Sequence, residues 1–217
     1  LVLLHARWLL TCAGPAPRRG AAQHDVTPTP DGALAIRDGP ILVAGPSDRL
    51  TCHISELPAS QVIDLQGRHS IVPGFVDAHT HAVFGGDRTA ELRRRLAGET
   101  YAQIAAAGGG IVSTVTATRT ASESELADVA RIRLSDMRAA GTTTCEIKSG
   151  YGLTTADEIK LLRVIDSLRR TEPMTIVSTF MGAHEVPSEY RGARERYVDL
   201  VVDEMIPAVA HAGLAEW

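Results

Sequence analysis

The sequence predicts an α/β chain, with a small β-domain over residues 1–70 followed over residues 71–217 by the opening units of a parallel β/α barrel. Three observations predict this. Up to about residue 70, short apolar runs alternate with Gly and Pro, which are strand and turn signals. From Ile71 the rhythm becomes strand, loop, long helix and strand again, the mark of parallel β/α units. A closed barrel needs about 250 residues by itself, so the part of this 217-residue chain that follows the β-domain is too short to close one.

In order along the chain, the first strands are expected at Leu1–Leu10, Ala33–Ile36, Pro40–Ala44 and Val62–Leu65, with Asp38-Gly39 as a hairpin turn. Residues 13–32, which carry Pro15, Pro17, Pro28 and Pro30, read as a surface loop. In the second part, strands are expected at about residues 74–79, 143–148 and 175–180. The helix Ser122–Ala140 opens on a Ser-x-x-Glu capping box, Ser122 and Glu125, with apolar positions Leu126, Val129, Ile132, Leu134 and Met137, and Gly141 stops it. A second helix, Thr155–Arg170, is expected to bury Ile159, Leu161, Leu162, Val164, Ile165 and Leu168. A third, about Arg194–Ala212, is expected to bury Val198, Val201, Val202, Met205, Ile206 and Val209. A fourth strand is expected to start at Leu214. The chain opens on Leu1 rather than Met, and Gly213–Trp217 looks like the beginning of another element, so both ends read as cuts.

Composition limits the function classes. Hydrophobic residues at 44% and charged residues at 22% are those of an ordinary folded protein. A net charge of -4 gives no electrostatic footprint for nucleic acid or an anionic membrane. The apolar opening segment is about half the length of a membrane span and contains His5 and Arg7. Cys12, Cys52 and Cys145 are too few and too scattered for a disulfide framework and form no C-x-x-C pair, so a cytoplasmic location is expected.

The strongest chemical feature is the apolar run Val72–His81, which ends in His79-Thr80-His81. Strand side chains alternate with period two, so His79 and His81 project to one face at the strand's C-terminal end, where two imidazoles can grip one metal ion. A His-x-His pair alone is usually structural. At the C-terminal end of a first barrel strand it falls where such barrels place their chemistry. Elsewhere, Arg88 on a Gly-Gly-Asp loop reads either as a solvated surface group or as a cation for an anionic ligand. Tyr151, between Gly150 and Gly152, either covers a turn or meets a ligand. His184 is either a satisfied loop histidine or a pocket residue. Glu146 and Lys148 alternate toward one side of the second barrel strand and read as an ion pair. Gly108-Gly109-Gly110 reads as a flexible lid in preference to an anion cradle. His5, His24, His53, His69 and His211 have no ligand spacing.

The run Pro73-Gly74-Phe75-Val76-Asp77-Ala78-His79-Thr80-His81 resembles the first metal motif of the amidohydrolase superfamily. The later segments Ala82–Arg88, Gly108–Ile111 with Ser113–Val115, Glu146–Leu153 and Ser178–His184 resemble the imidazolonepropionase family within it. The motifs occur in that family's order from about residue 70 to residue 217, while the first 70 residues match only in general character.

The resemblance implies the N-terminal part of a TIM-type (β/α)8 metal-dependent hydrolase barrel, preceded by a small β-sandwich domain that a missing C-terminal segment completes. It implies hydrolysis of the cyclic amide of 4-imidazolone-5-propanoate to N-formimidoyl-L-glutamate in histidine degradation. His79 and His81 would be ligands of one zinc or iron ion, Arg88, Tyr151 and His184 would contact substrate, and Tyr101 is a weaker candidate. Lys148 as a carboxylated metal bridge, as in related binuclear enzymes, is less favoured because the family uses a single metal. The remaining ligands and the acid/base residues are expected beyond Trp217, which would leave this chain inactive alone, and a homodimer is expected of the full-length protein. Another deaminase or cyclic amidohydrolase of the superfamily, and a non-catalytic half-barrel scaffold, are the alternatives.

Overall fold

Two contact-defined units, Leu1–Pro73 and Gly74–Trp217, make up the computed structural model, which describes residues 1–51 and 61–217. Cys52 and His53 lie outside the described residues. In the first unit, strands β1 (Val2–Leu10), β2 (Pro28–Ile36), β3 (Ile41–Pro46) and β4 (Val62–Asp64) form one sheet in the order β3-β2-β1-β4. β1 pairs antiparallel with β2 and parallel with β4. Asp38 and Gly39 have φ of 53° and 106°, the left-handed pair that a two-residue hairpin turn between β2 and β3 requires. Val2, Leu4, Ala33 and Ala35 form a small core with Leu50 of α1 (Ser47–Thr51).

The expected loop over residues 13–32 is shorter than that, because β2 begins at Pro28 and pairs Pro28 with Leu10 and Pro30 with Trp8. Proline is tolerated there because β3 joins β2 only from Gly32 onward. Pro28 and Pro30 therefore have a strand on one side only, where the missing N–H breaks no ladder.

The second unit is built on three parallel strands, β5 (Phe75–Thr80), β6 (Thr142–Lys148) and β7 (Thr175–Thr179), in sequence order. Between β5 and β6 run α2 (Thr89–Leu96), α3 (Tyr101–Ala106), α4 (Ile111–Thr120) and α5 (Glu123–Ala139), and α6 (Thr155–Thr171) links β6 to β7. α5 starts on the expected box: Ser122 Oγ accepts the Glu125 N–H at 3.3 Å, and Glu125 Oε2 accepts the Ser122 N–H at 2.8 Å. Leu126, Ala130 and Leu134 of α5 and Leu161, Leu162, Ile165 and Leu168 of α6 bury Cys145, Ile147 and Ile176 of the sheet. Cys12 and Cys145 are both free thiols.

Two expected apolar faces are rotated. On α5, Val129 and Ile132 are exposed while Ala127 and Ala130 are buried, because the contact row runs at four-residue spacing from Leu126, and Ile132 stands about 160° away from its members Ala130 and Leu134. The expected third helix is α7 (Arg194–Leu200), a π-type turn Val201–Met205, and α8 (Ile206–Ala212). Pro207 has no N–H to give to the preceding turn, which accounts for the break. The buried row there is Tyr197, Val201, Met205 and Val209, and Val198, Val202 and Ile206 face outward. After α8, the tail lies along β7, with the Phe180 N–H bonded to the Trp217 carbonyl and the Glu216 N–H to the Ser178 carbonyl.

Replacing Ser122 by alanine removes the cap acceptor of α5 and is expected to lower the unfolding free energy by about 1 kcal/mol. Urea denaturation of the two proteins checks this, and coincident midpoints would show that the cap contributes nothing.

Candidate functional site

The tip of β5 is irregular where its chemistry sits. Asp77 pairs with Cys145 and Thr80 with Ile147, so three steps on β5 stand opposite two on β6, which is a bulge that re-aims side chains. The His79 N–H, freed from the ladder, is taken by Asp77 Oδ1 at 3.2 Å. Thr80 is tied across to β6, its hydroxyl donating to the Glu146 carbonyl at 2.7 Å. The rings of His79 and His81 lie 5.8 Å apart between centroids.

Two loops, after β6 and after β7, bring further rings to this tip. His81 stacks on His184 at 4.7 Å and lies 5.0 Å from Tyr151, and Tyr151 and His184 meet edge-on at 5.2 Å. His184 Nδ1 lies 2.9 Å from the Gly150 carbonyl. A carbonyl oxygen only accepts, so Nδ1 carries the hydrogen and Nε2 is left for another partner. Burial, reinforced by His184, His79 and Lys148 and opposed by Glu146, brings the His81 imidazole down to about 4. Its Nδ1 is buried and without a hydrogen-bond partner among the described residues. Burial also raises the Tyr151 phenol, against the pull of the Arg88 charge.

Glu146 and Lys148 form the expected ion pair on β6. Burial pushes the Glu146 carboxyl up, but the bonds from Lys148 and Thr179 outweigh it and hold the group below the ordinary carboxylate range. Arg88, at the head of α2, is tethered through Nε to Glu91 Oε2 at 2.8 Å. That bond, the largest influence on Arg88, holds its guanidinium above its ordinary value. Glu91 also accepts the Gly110 N–H at 2.7 Å, and the Gly109 N–H goes to the Ile104 carbonyl. Both of these glycine amides are therefore committed within the chain.

Tyr101 stands apart from the ring cluster. Its hydroxyl lies over Gly110, and with Ile111, Val115, Leu153 and Val186 it lines a cavity of about 440 Å³ whose wall includes neither His79 nor His81. Of the histidines without ligand spacing, His24, His69 and His211 are exposed, and His5 bonds Asp31 at 3.0 Å.

Two charged residues that organise the site escaped the sequence reading. Glu158, at 0% exposure on α6, accepts the N–H groups of Gly150, Gly152 and Leu153 at 2.8–2.9 Å. Arg133 on α5 donates to the carbonyls of Ala82 and Phe84 at 2.9 Å, reaches Gly86, and stands 3.5 Å above the Phe84 ring. Phe84 in turn meets Tyr151 edge-on at 5.8 Å. The available signal was position: Glu158 precedes Leu161 and Leu162 by three and four residues, and Arg133 follows Ala130 by three. Both acid and base thus fall on the apolar stripe of their helix, where an unpartnered charge is not tolerated.

No protein-family model matches the chain. It is 53% identical over its whole length to the imidazolonepropionase of Symbiobacterium thermophilum, covering 51% of that protein. The chain resembles an imidazolonepropionase from end to end. It is also 50% identical over 99% of its length to the imidazolonepropionase of Solibacter usitatus, and 45% identical over all of it to that of Myxococcus xanthus, covering 51% of each. The chain thus spans about half the length of the curated imidazolonepropionases it matches. Among solved structures, E. coli guanine deaminase superposes with a TM-score of 0.47 at 15% identity, over 92% of this chain and 40% of that one.

Arg133→Met would leave the Ala82 and Phe84 carbonyls without their donor and remove the cation from the Phe84 ring, at an expected cost of about 2–3 kcal/mol. Chemical denaturation beside Arg133→Lys, which keeps the charge but not the fork, measures this. A loss no larger than that of an exposed arginine such as Arg170 would contradict the assigned role.

Proposed function

We propose that this chain is the N-terminal part of an imidazolonepropionase, and that the whole protein hydrolyses the ring C–N bond of 4-imidazolone-5-propanoate to give N-formimidoyl-L-glutamate. The observation that carries this reading is the 45–53% identity to curated imidazolonepropionases along the whole chain, taken with the convergence of His79, His81, Tyr151 and His184 at one strand tip. In the same reading, residues 71–217 belong to a (β/α)8 barrel and residues 1–70 to a β-sandwich, and the protein works in the cytoplasm as a homodimer on a small-molecule substrate. The solvent-exposed Phe75 and Val76 of β5 agree with a sheet that continues in the whole protein. Among the described residues no helix is long and apolar enough to cross a membrane.

The residues present fit one part of a metal centre. His79 and His81 would hold a zinc or iron ion, and the Nδ1 of His81 is buried without a hydrogen-bond partner among the described residues. Among the described residues no third His, Cys, Asp or Glu completes a ligand set, so this reading assigns the other ligands and the acid/base group to the remainder of the whole protein. Such an ion, when bound, would lower the pKa of water far enough, to about 7, to furnish a nucleophile at neutral pH.

The chain's own residues bind and orient. Arg88, its Nε held by Glu91, is assigned to the propionate or the ring carbonyl. Tyr151 packs the ring of the substrate, and His184 offers Nε2 to a polar substrate atom. Water adds to the ring carbonyl carbon, the C–N bond opens, and the departing nitrogen takes up a proton.

Turnover of imidazolonepropanoate by the protein at the relatives' full length is the test. His79→Ala and His81→Ala are each expected to reduce kcat by about a thousandfold or more, with loss of bound metal. Arg88→Ala is expected to raise KM by about a hundredfold, since a charge-assisted pair contributes about 2–3 kcal/mol. Undiminished ring opening in the double alanine variant, or a wild-type enzyme that deaminates guanine and leaves the imidazolone untouched, would overturn the reading.

A further inference from the structure

The loop that carries Tyr151 is an improbable backbone. Gly150 has φ of 105°, and Leu153, a branched residue, has φ of 56°, a region that costs an L-residue about 1 kcal/mol or more. A Cβ at Gly150 would fall 2.9 Å from the Met181 carbonyl and from the His184 Cβ, so the loop is pressed against the segment that carries His184. Ser149 ties the start of the loop to Met181, and Arg119 takes the Gly152 carbonyl. Glu158 holds the loop's amides: its two carboxylate oxygens take the N–H groups of Gly150, Gly152 and Leu153, and the side chain is wholly enclosed. Burying a carboxylate is costly unless it is fully bonded, and three N–H donors near the head of a helix are a full set.

We propose that Glu158 is the positioning residue for the Tyr151 and His184 pair. Its carboxylate sets the backbone from which Tyr151 projects, and through the Gly150 carbonyl it sets the ring orientation and the Nδ1–H tautomer of His184. A carboxylate is required because all three neighbours are donors, and an amide would turn its own N–H groups toward at least one of them. The assignment of Tyr151 and His184 to substrate rests on the function proposed above, whereas the hold on the loop does not.

Two measurements separate these. Hydrogen exchange on the wild-type protein is expected to show the amides of Gly150, Gly152 and Leu153 protected as strongly as the interior of α6, although they lie in a loop, and Glu158→Gln is expected to speed their exchange at least about tenfold while α6 stays protected. Exchange at unstructured rates in the wild type overturns the proposal, and this arm requires neither a foldable variant nor any activity. In the full-length enzyme, Glu158→Gln is expected to raise KM about tenfold with kcat within about threefold, and to be non-additive with Tyr151→Phe. Additive effects, or an unchanged KM, overturn the positioning role. An inactive wild type with protected loop amides rejects the proposed reaction and leaves the hold of Glu158 on the loop standing.

Discussion

Everything chemical in the second unit depends on how one strand ends. A regular β5 would place its last side chains by simple alternation, but the sheet gives it one residue more than β6 between Asp77 and Thr80. Such an extra residue leaves a backbone amide without a ladder partner, a burden on any strand end. Asp77 absorbs it by folding its own carboxylate back onto the His79 N–H, and Thr80 fastens the far side of the bulge to the Glu146 carbonyl. The chain at His79 and Thr80 is therefore held from both directions, beside the loops after β6 and β7 that carry Tyr151 and His184.

Those loops are themselves bound to one another before any ligand arrives. Ser149, following β6, accepts the Met181 N–H at 2.9 Å, and Tyr197 donates to the Gly182 carbonyl at 2.6 Å from the buried row of α7. Arg119 of α4 reaches the Gly152 carbonyl at 2.6 Å while also pairing with Glu189. Arg133 performs the same service for the loop after β5. The pattern is consistent: helix side chains with charged or polar ends reach across to loop backbone, so the rigidity of the helix layer is passed to residues that have no regular structure of their own.

This division of labour explains what could be read from the sequence. The strands β5 to β7, the capping box of Ser122 and Glu125, and the apolar row of α6 were legible because each depends on local chemistry or on a period intrinsic to one element. The proximity of the His79 and His81 rings was legible for the same reason, since the two stand two residues apart at one strand end. The faces of α5 and of α7 with α8 were misread because hydrophobicity alone did not distinguish Val129 and Ile132 from Ala127 and Ala130; Ala130 sits on the row that continues from Leu126 at four-residue spacing, and Ala127 borders it, seven residues before Leu134. Glu158 and Arg133 were passed over because charged side chains on helices usually face water. Their partners are loop amides and carbonyls, groups present in every residue, and so no residue type nearby advertises the contact.

The ring cluster shows the same logic in its electrostatics. Burial is the largest influence opposing a proton on His81, His184, His79 and Lys148 add to it, and Glu146 alone favours protonation. Because Lys148 is already paired with Glu146, the two offset each other, and desolvation together with the neighbouring imidazoles decides the outcome. A ring kept neutral in this way presents a lone pair on one nitrogen at neutral pH. That lone pair lies in a crowded aromatic cluster, and the ring's Nδ1 has no partner in the described chain. A buried polar atom without a partner is a cost, and it is one that the ion proposed above for His79 and His81 would relieve.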